Sequence, residues 1–143
     1  MNSPTALLPQ FIVDNPRLGD WFAFALPRSI TLKTGKVEIG QGILTALRQI
    51  AAEELDLPLA LLDVLSGDTT ASPQEGPTVA SLSITMSGPA IRVAASELRG
   101  RLFEAAAARL AVPVNRLMAI DGVFHVEERP RKRTIGRSLV RLI

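Results

Sequence analysis

From Ile30 to Ile39 inward and outward positions alternate: Ile30, Leu32 and Thr34 are interleaved with Thr31 and Lys33, then Val37 and Ile39 with Lys36 and Glu38. A two-residue period is that of a half-buried strand, so the pattern predicts two short strands with Gly35 as a bulge or turn between them. At Ile43 the period changes. Ile43, Leu44, Leu47, Ile50, Ala51 and Leu55 recur at spacings of three and four, the stripe of a helix laid on a core, and it should end near Asp56, ahead of Pro58. Leu57 to Leu62 predict a short turn or helix feeding a strand at Val64 and Leu65, followed by a polar loop, Ser66 to Glu75, that Asp68 and Thr69 shape. A second long helix runs from about Ser81 or Ser87 to Leu110. Pro89 lies in its first turn or bends it. Leu117 to Ile120 and Val123 to Val126 flank Asp121-Gly122 as a hairpin.

These elements predict an α+β fold: a two-layer β-β-α-β-α-β domain with two helices on one face of a small mixed sheet. Residues 1–29 read as an N-terminal arm marked by Pro4, Pro9 and Pro16, residues 30–126 as the domain, and residues 127–143 as a basic tail. Leu18, Trp21, Phe22 and Phe24 lead into the first strand and pack the core or a subunit contact.

Length and composition narrow the function. A chain of 143 residues builds one core. Its 47% hydrophobic content and mean hydropathy of +0.24 are high for a free-standing domain and suggest a face covered by other protein. The charge is divided: residues 1–126 carry 10 basic and 12 acidic side chains, and residues 127–143 carry 6 and 2. The basic tail lacks interleaved aromatics and follows no nucleic-acid-binding pattern, so a solvated terminus is expected and no nucleic-acid partner. With no cysteine, the chain itself supplies neither disulfides nor iron–sulfur ligands, and its one histidine, His125, cannot build a His-rich metal site. No apolar run long enough to span a membrane and no secretory leader stand out, so a cytoplasmic protein without a membrane partner is expected.

The candidate chemistry lies in two loops. Gly40, Gln41 and Gly42 sit where strand becomes helix. Helix starts leave N–H groups unpaired, which suits phosphates and carbonyl edges; the Gln41 carboxamide offers a donor and an acceptor, and the glycines admit close approach. The alternative is a tight turn with Gln41 facing solvent. The second loop, Gly76 to Ser83, carries the hydroxyls of Thr78 and Ser81 beside the small Ala80; alternatively Ser81 caps the next helix and Thr78 sits in a turn. No G-x-x-x-x-G-K or G-x-G-x-x-G pattern supports a nucleotide site.

Four segments in order, GKVEIGQGILTALRQIAAEELDL, SGDT, GPTVASLS and SGPAIRVAASELR, resemble the molybdopterin-binding large subunits of the xanthine dehydrogenase and aldehyde oxidase family, most of all isoquinoline, nicotinate and aldehyde dehydrogenase types. The likeness runs from about Asn15 to Gly122; Pro89 departs from it. The resemblance implies a share of the site for a molybdenum-pyranopterin cofactor, its cytosine dinucleotide form admitted, with Gly40, Gln41, Gly42, Thr78, Val79, Ala80 and Ser81 as cofactor-binding residues. It also implies hydroxylation of aldehydes or N-heteroaromatic substrates with water as oxygen source, and two partners: the remainder of the molybdenum subunit and a 2Fe-2S subunit. The family's catalytic glutamate belongs to a region beyond this chain, so no catalytic residue is expected here. A non-catalytic scaffold domain that has lost the cofactor is the alternative.

Overall fold

The computed structural model describes residues 7–25, 29–127 and 139–141. Two short helices, α1 (Gln10–Asp14) and α2 (Leu18–Trp21), lead into β1 (Phe22–Ala25) and β2 (Ser29–Thr34). Helix α3 (Ile43–Leu55) then crosses to β3 (Leu62–Ser66), and α4 (Gly88–Leu110) is followed by β4 (Leu117–Ile120), β5 (Val123–Val126) and β6 (Leu139–Arg141). The class is α+β, as expected, but the strands form two sheets. One is mixed, in the order β1-β2-β3, with β1 antiparallel and β3 parallel to β2; the other is an antiparallel β4-β5-β6 meander.

The first strand pair differs from the expectation. Residues 36–39 form no strand, and β1 comes instead from the segment read as an extended arm. The chain bends at Gly35, where a Cβ would meet the Pro73 carbonyl oxygen at 2.7 Å, and Lys36 turns inward to be buried. Both features take the backbone out of the sheet after Thr34. The strand β1 escaped the alternation test because Phe22-Ala23-Phe24-Ala25 is apolar throughout. At the other end, β6 pairs with β5 inside the segment read as a tail; residues 128–138 and 142–143 of that segment lie outside the described residues.

The main core lies between the mixed sheet and the two long helices. Ile30, Leu32 and Thr34 point inward along β2, as the alternation required. Ile43, Leu47, Ala51 and Leu55 of α3 meet Ile91, Ala94, Ala95 and Leu98 of α4 over that face, and Trp21 closes one end with its indole N–H donating to the Asn15 carbonyl at 2.9 Å. Alanines on α4 let the two helices approach closely. The C-terminal part of α4 belongs to a second cluster, where Ala106 and Ala107 pack on Leu117, Ala119 and Phe124 of the meander, with Phe103 edge-on to Phe124. Leu102 touches both clusters.

Helix ends follow local rules. Asp56 ends α3 with a left-handed φ of 56°, and Leu57 N–H donates back to the Ala52 carbonyl at 3.0 Å. Ala111 closes α4 in the same way with φ 52°, a conformation that costs a residue bearing a Cβ about 1 kcal/mol. At its start α4 continues from a π-helical turn, Ser83–Ser87, and Pro89 sits in its first turn. Having no N–H, Pro89 cannot complete a regular α ladder back to Thr85, and the preceding turn is widened instead.

Leu47→Ala is expected to lower the unfolding free energy by about 3 kcal/mol, since this side chain is fully buried between sheet and helices. Ala111→Gly is expected to raise it by about 1 kcal/mol by relieving the left-handed strain. Urea unfolding of both variants checks the pair, and a neutral Leu47→Ala would contradict the core placement.

Candidate functional site

Beyond β2 the chain and the loop after β3 are fastened residue by residue. Asn15 clamps Gln74, accepting from its N–H at 2.9 Å and donating to its carbonyl at 3.1 Å. The Glu75 carboxylate accepts from the Thr34 hydroxyl at 2.6 Å and from Gly35 N–H at 2.7 Å. The Lys36 ammonium, in a side chain only 1% exposed, donates to the carbonyls of Glu75, Gly76 and Pro77 at 2.5, 3.3 and 3.0 Å. It also lies 5.3 Å from the centre of the Phe11 ring. Burial holds the Lys36 ammonium below the ordinary lysine value, partly offset by the Glu75 charge. One residue on, Val37 N–H donates to the Thr78 hydroxyl oxygen at 3.0 Å, joining the two candidate loops directly.

The Gly40–Gly42 loop is closed by two of its own side chains. Gln41 accepts from Ile39 N–H at 2.6 Å and donates to the Val37 carbonyl at 3.0 Å. One Glu38 oxygen accepts from Gly40 N–H at 2.9 Å and Gly42 N–H at 2.8 Å, and the other from Leu44 N–H at 3.3 Å. Gly40 and Gly42 supply the positive φ, 94° and 75°, that turns these N–H groups toward one carboxylate. The bonds from Gly42 first, then Leu44 and Gly40, hold the Glu38 carboxyl below its ordinary value. Three of the N–H groups at this turn are therefore already given to Glu38, and the Gln41 carboxamide braces its own loop.

The second loop reaches the same place under strain. Ala80 and Ser81 are both left-handed, with φ 50° and 59°, and such backbone in residues other than glycine costs on the order of 1 kcal/mol each. Ser81 meets the following helix through its carbonyl, which accepts from Thr85 N–H at 3.5 Å. Asp68 shapes the preceding turn as expected, accepting from the N–H and hydroxyl of Thr70 and from Ala71 N–H. The two loops enclose a cavity of about 450 Å³ lined by Gln41, Gly42 and all four of Thr78, Val79, Ala80 and Ser81. Gly40 is not in the lining. Ile39, Ile43, Ala46, Ser83 and Ile84 complete the wall. Sequence reasoning missed these, Ser83 and Ile84 because they belong to the π turn that Pro89 imposes.

A family model described as a molybdopterin cofactor-binding domain matches residues 27–141. The chain belongs to this family. It is 42% identical over 88 residues to one of the subunits of nicotinate dehydrogenase from Pseudomonas putida, covering 62% of this chain and 7% of that protein. It is 32% identical over 105 residues to the xanthine dehydrogenase molybdenum-binding subunit of Escherichia coli, covering 73% of this chain and 14% of the relative. Among solved structures, a Cu,Mo-CO dehydrogenase in its carbon monoxide reduced state is similar with a TM-score of 0.68 at 26% identity, over 85% of this chain and 14% of that one. The chain thus spans between 7 and 14% of the length of these proteins.

Within this molybdopterin-binding domain the missed residues Glu38, Lys36 and Glu75 set the loop geometry. Glu38 was open to detection as an acid four positions before a helix-capping glycine; Lys36 and Glu75 were not, because their partners lie 39 to 41 residues away. Lys36→Met leaves the carbonyls of Glu75, Gly76 and Pro77 without their shared donor and is expected to cost about 3 kcal/mol, with faster amide exchange at Gly76 and Thr78 than at α4. Unchanged exchange there would remove Lys36 from this role. Glu38 also predicts a pH dependence. Its folded value lies below its unfolded one, so its contribution is present above the ordinary carboxylate range and lost as pH falls through the folded value. The difference in thermal midpoint between wild type and Glu38→Gln should therefore be largest near pH 7 and shrink towards about pH 3.

Proposed function

We propose that this domain supplies part of the cofactor-binding wall of a molybdenum hydroxylase, an oxidoreductase acting on aldehydes or N-heteroaromatic substrates with water as the oxygen source. The observation that carries the reading is the convergence of Gln41-Gly42 and Thr78–Ser81, far apart in sequence, on one cavity. The chemistry of the lining suits a pterin. A pterin is flat, with donors and acceptors alternating around its edge, and here hydroxyls and a carboxamide face it from two loops while Gly42 and Ala80 leave room for a ring. Gln41 would present the carboxamide hydrogen left free by its own loop. Thr78, which accepts from Val37 N–H, keeps its hydroxyl hydrogen to donate, and Ser81 would add a second hydroxyl. Val79 and Ile39, the latter 75% exposed, offer apolar cover to the ring faces. When bound, the molybdenum centre supplies two-electron redox chemistry that no side chain of this domain provides.

The remainder of the molybdenum subunit, a 2Fe-2S partner, the cytosine dinucleotide form of the pterin and a cytoplasmic setting are part of the proposal. The resemblance of the four motifs supports the partners and the pterin form, and relatives that are themselves subunits support the partners. No helix among the described residues is long and apolar enough to cross a membrane.

Purification from the native host with co-purifying partners, followed by molybdenum analysis and pterin fluorescence after oxidation, tests this reading. Near-stoichiometric metal with a larger partner is the expected result. Thr78→Val, which loses both hydrogen-bonding functions, should lower occupancy several-fold, and Thr78→Ser should restore it. A metal-free chain without a partner would favour a domain that kept the fold and lost the ligand.

A further inference from the structure

We infer that Asn15 is a positioning residue for the cavity: its carboxamide ties the second loop to the helical side of the molecule, so that residues 78–81 face residues 40–42 across the space a ligand would fill. The inference deepens the proposed function and rests on that reading of the cavity. Asn15 is not in the cavity lining and lies before residues 27–141, which the family model matches. It is 8% exposed, and every polar group it carries is used. Its NH2 group donates to the carbonyls of Phe11 at 3.0 Å and Gln74 at 3.1 Å, and its Oδ1 accepts from Gln74 N–H at 2.9 Å. Its own N–H donates to the Phe11 carbonyl at 3.0 Å, and its carbonyl accepts from the indole of Trp21, a residue of the main core, at 2.9 Å. The side chain meets Gln74 as a neighbouring strand would, through one donor and one acceptor, and two directional bonds fix both the place and the heading of the chain entering the loop.

The fastenings made by Glu75, Lys36 and Thr78 all join the loop to residues 34–37; Asn15 joins it to α1 and the core instead. Downstream, α1 also packs beside the π turn Ser83–Ser87 into which the loop runs. The same N-terminal segment thus holds the loop at both ends, with the left-handed pair Ala80-Ser81 between them. Strained backbone of this kind keeps its shape while its ends are held. With Gln74 released, the pair relaxes and the cavity loses that wall.

Amide exchange in the 143-residue chain reads the tie at Gln74 N–H, bonded to Asn15, and at Val37 N–H, bonded to Thr78, with the buried Leu98 of α4 as reference. Asn15→Ala should speed exchange at Gln74 and Val37 by about tenfold. Asn15→Asp supplies a second signature. At neutral pH its carboxylate faces the carbonyls of Phe11 and Gln74, whereas the protonated carboxyl donates to one of them, and burial raises the pH at which that proton is taken up. Val37 protection in Asn15→Asp, relative to Asn15→Ala at the same pH, should therefore rise between about pH 7 and pH 5; Lys36, Glu38, Glu75 and the other ionisable groups are common to both variants and cancel. In the protein purified with its partners, Asn15→Ala should lower molybdenum and pterin content several-fold. Unchanged Val37 exchange in Asn15→Ala, with protection lost only at Gln74 or Leu98, overturns the inference. So does an Asn15→Asp profile that tracks Asn15→Ala throughout, or full cofactor content despite accelerated Val37 exchange. Accelerated Val37 exchange in a wild-type-dependent manner, when even the wild-type protein holds neither metal nor pterin, supports the tie and counts against the cofactor reading, so the two fail separately. If Asn15→Ala does not fold, Asn15→Asp compared with wild type decides.

Discussion

The cavity depends on a buried ammonium. Lys36 leaves the end of β2, turns inward and gathers the carbonyls of Glu75, Gly76 and Pro77, while the Glu75 carboxylate reaches back to Thr34 and Gly35. A lysine so placed loses much of its hydration, which is why its ammonium is easier to deprotonate than usual. Three carbonyl dipoles and the π face of Phe11 stand in for water. Because every link is directional, the second loop has one register against β2. Thr78 follows in that register and meets Val37. Without the clasp, a loop of glycine, proline and small polar residues would have little to hold it.

Once the loops are registered, their polar groups divide into those that build and those that remain. From Gly35 to Leu44, the backbone N–H groups of Gly35, Lys36, Val37, Ile39, Gly40, Gly42 and Leu44 are each given to a side chain. A loop satisfied in this way keeps its shape before any ligand arrives, which lowers the ordering cost of binding. The unfavourable features lie opposite, in the left-handed pair Ala80-Ser81 and the widened turn Ser83–Ser87. Strain of this kind persists where the surroundings hold it, and here the surroundings are the clasp on one side and the α3–α4 packing on the other.

The long helix α4 links the site to the rest of the molecule. Its first half completes the main core and its last turns anchor the antiparallel meander, so one rigid rod of 23 residues carries both. Its apolar positions are largely alanine, and that explains why it has no single apolar stripe: it is contacted from different sides along its length. The exposed apolar residues Ile39, Val79 and Ile84 line the cavity, which agrees with a domain that forms a small part of much longer relatives.

Local pattern alone determined much of this protein. The alternation of Ile30, Leu32 and Thr34, the α3 stripe from Ile43 to Leu55, the stop before Pro58 and the Asp121-Gly122 hairpin all depend on neighbours within a few residues. The four motifs likewise marked both loops that line the cavity. Tertiary structure decided what those loops do with their hydrogen bonds. Whether residues 36–39 continue a strand depends on Pro73 crowding Gly35 and on Lys36 finding carbonyls some 40 residues away. Which acceptor meets the N–H groups of Gly40, Gly42 and Leu44 is decided by the fold as well. Glu38 does, because two glycines fold the chain back on itself. Periodicity records which face of an element is buried, but a polar group's partner is set by three-dimensional proximity, and only the folded chain supplies it.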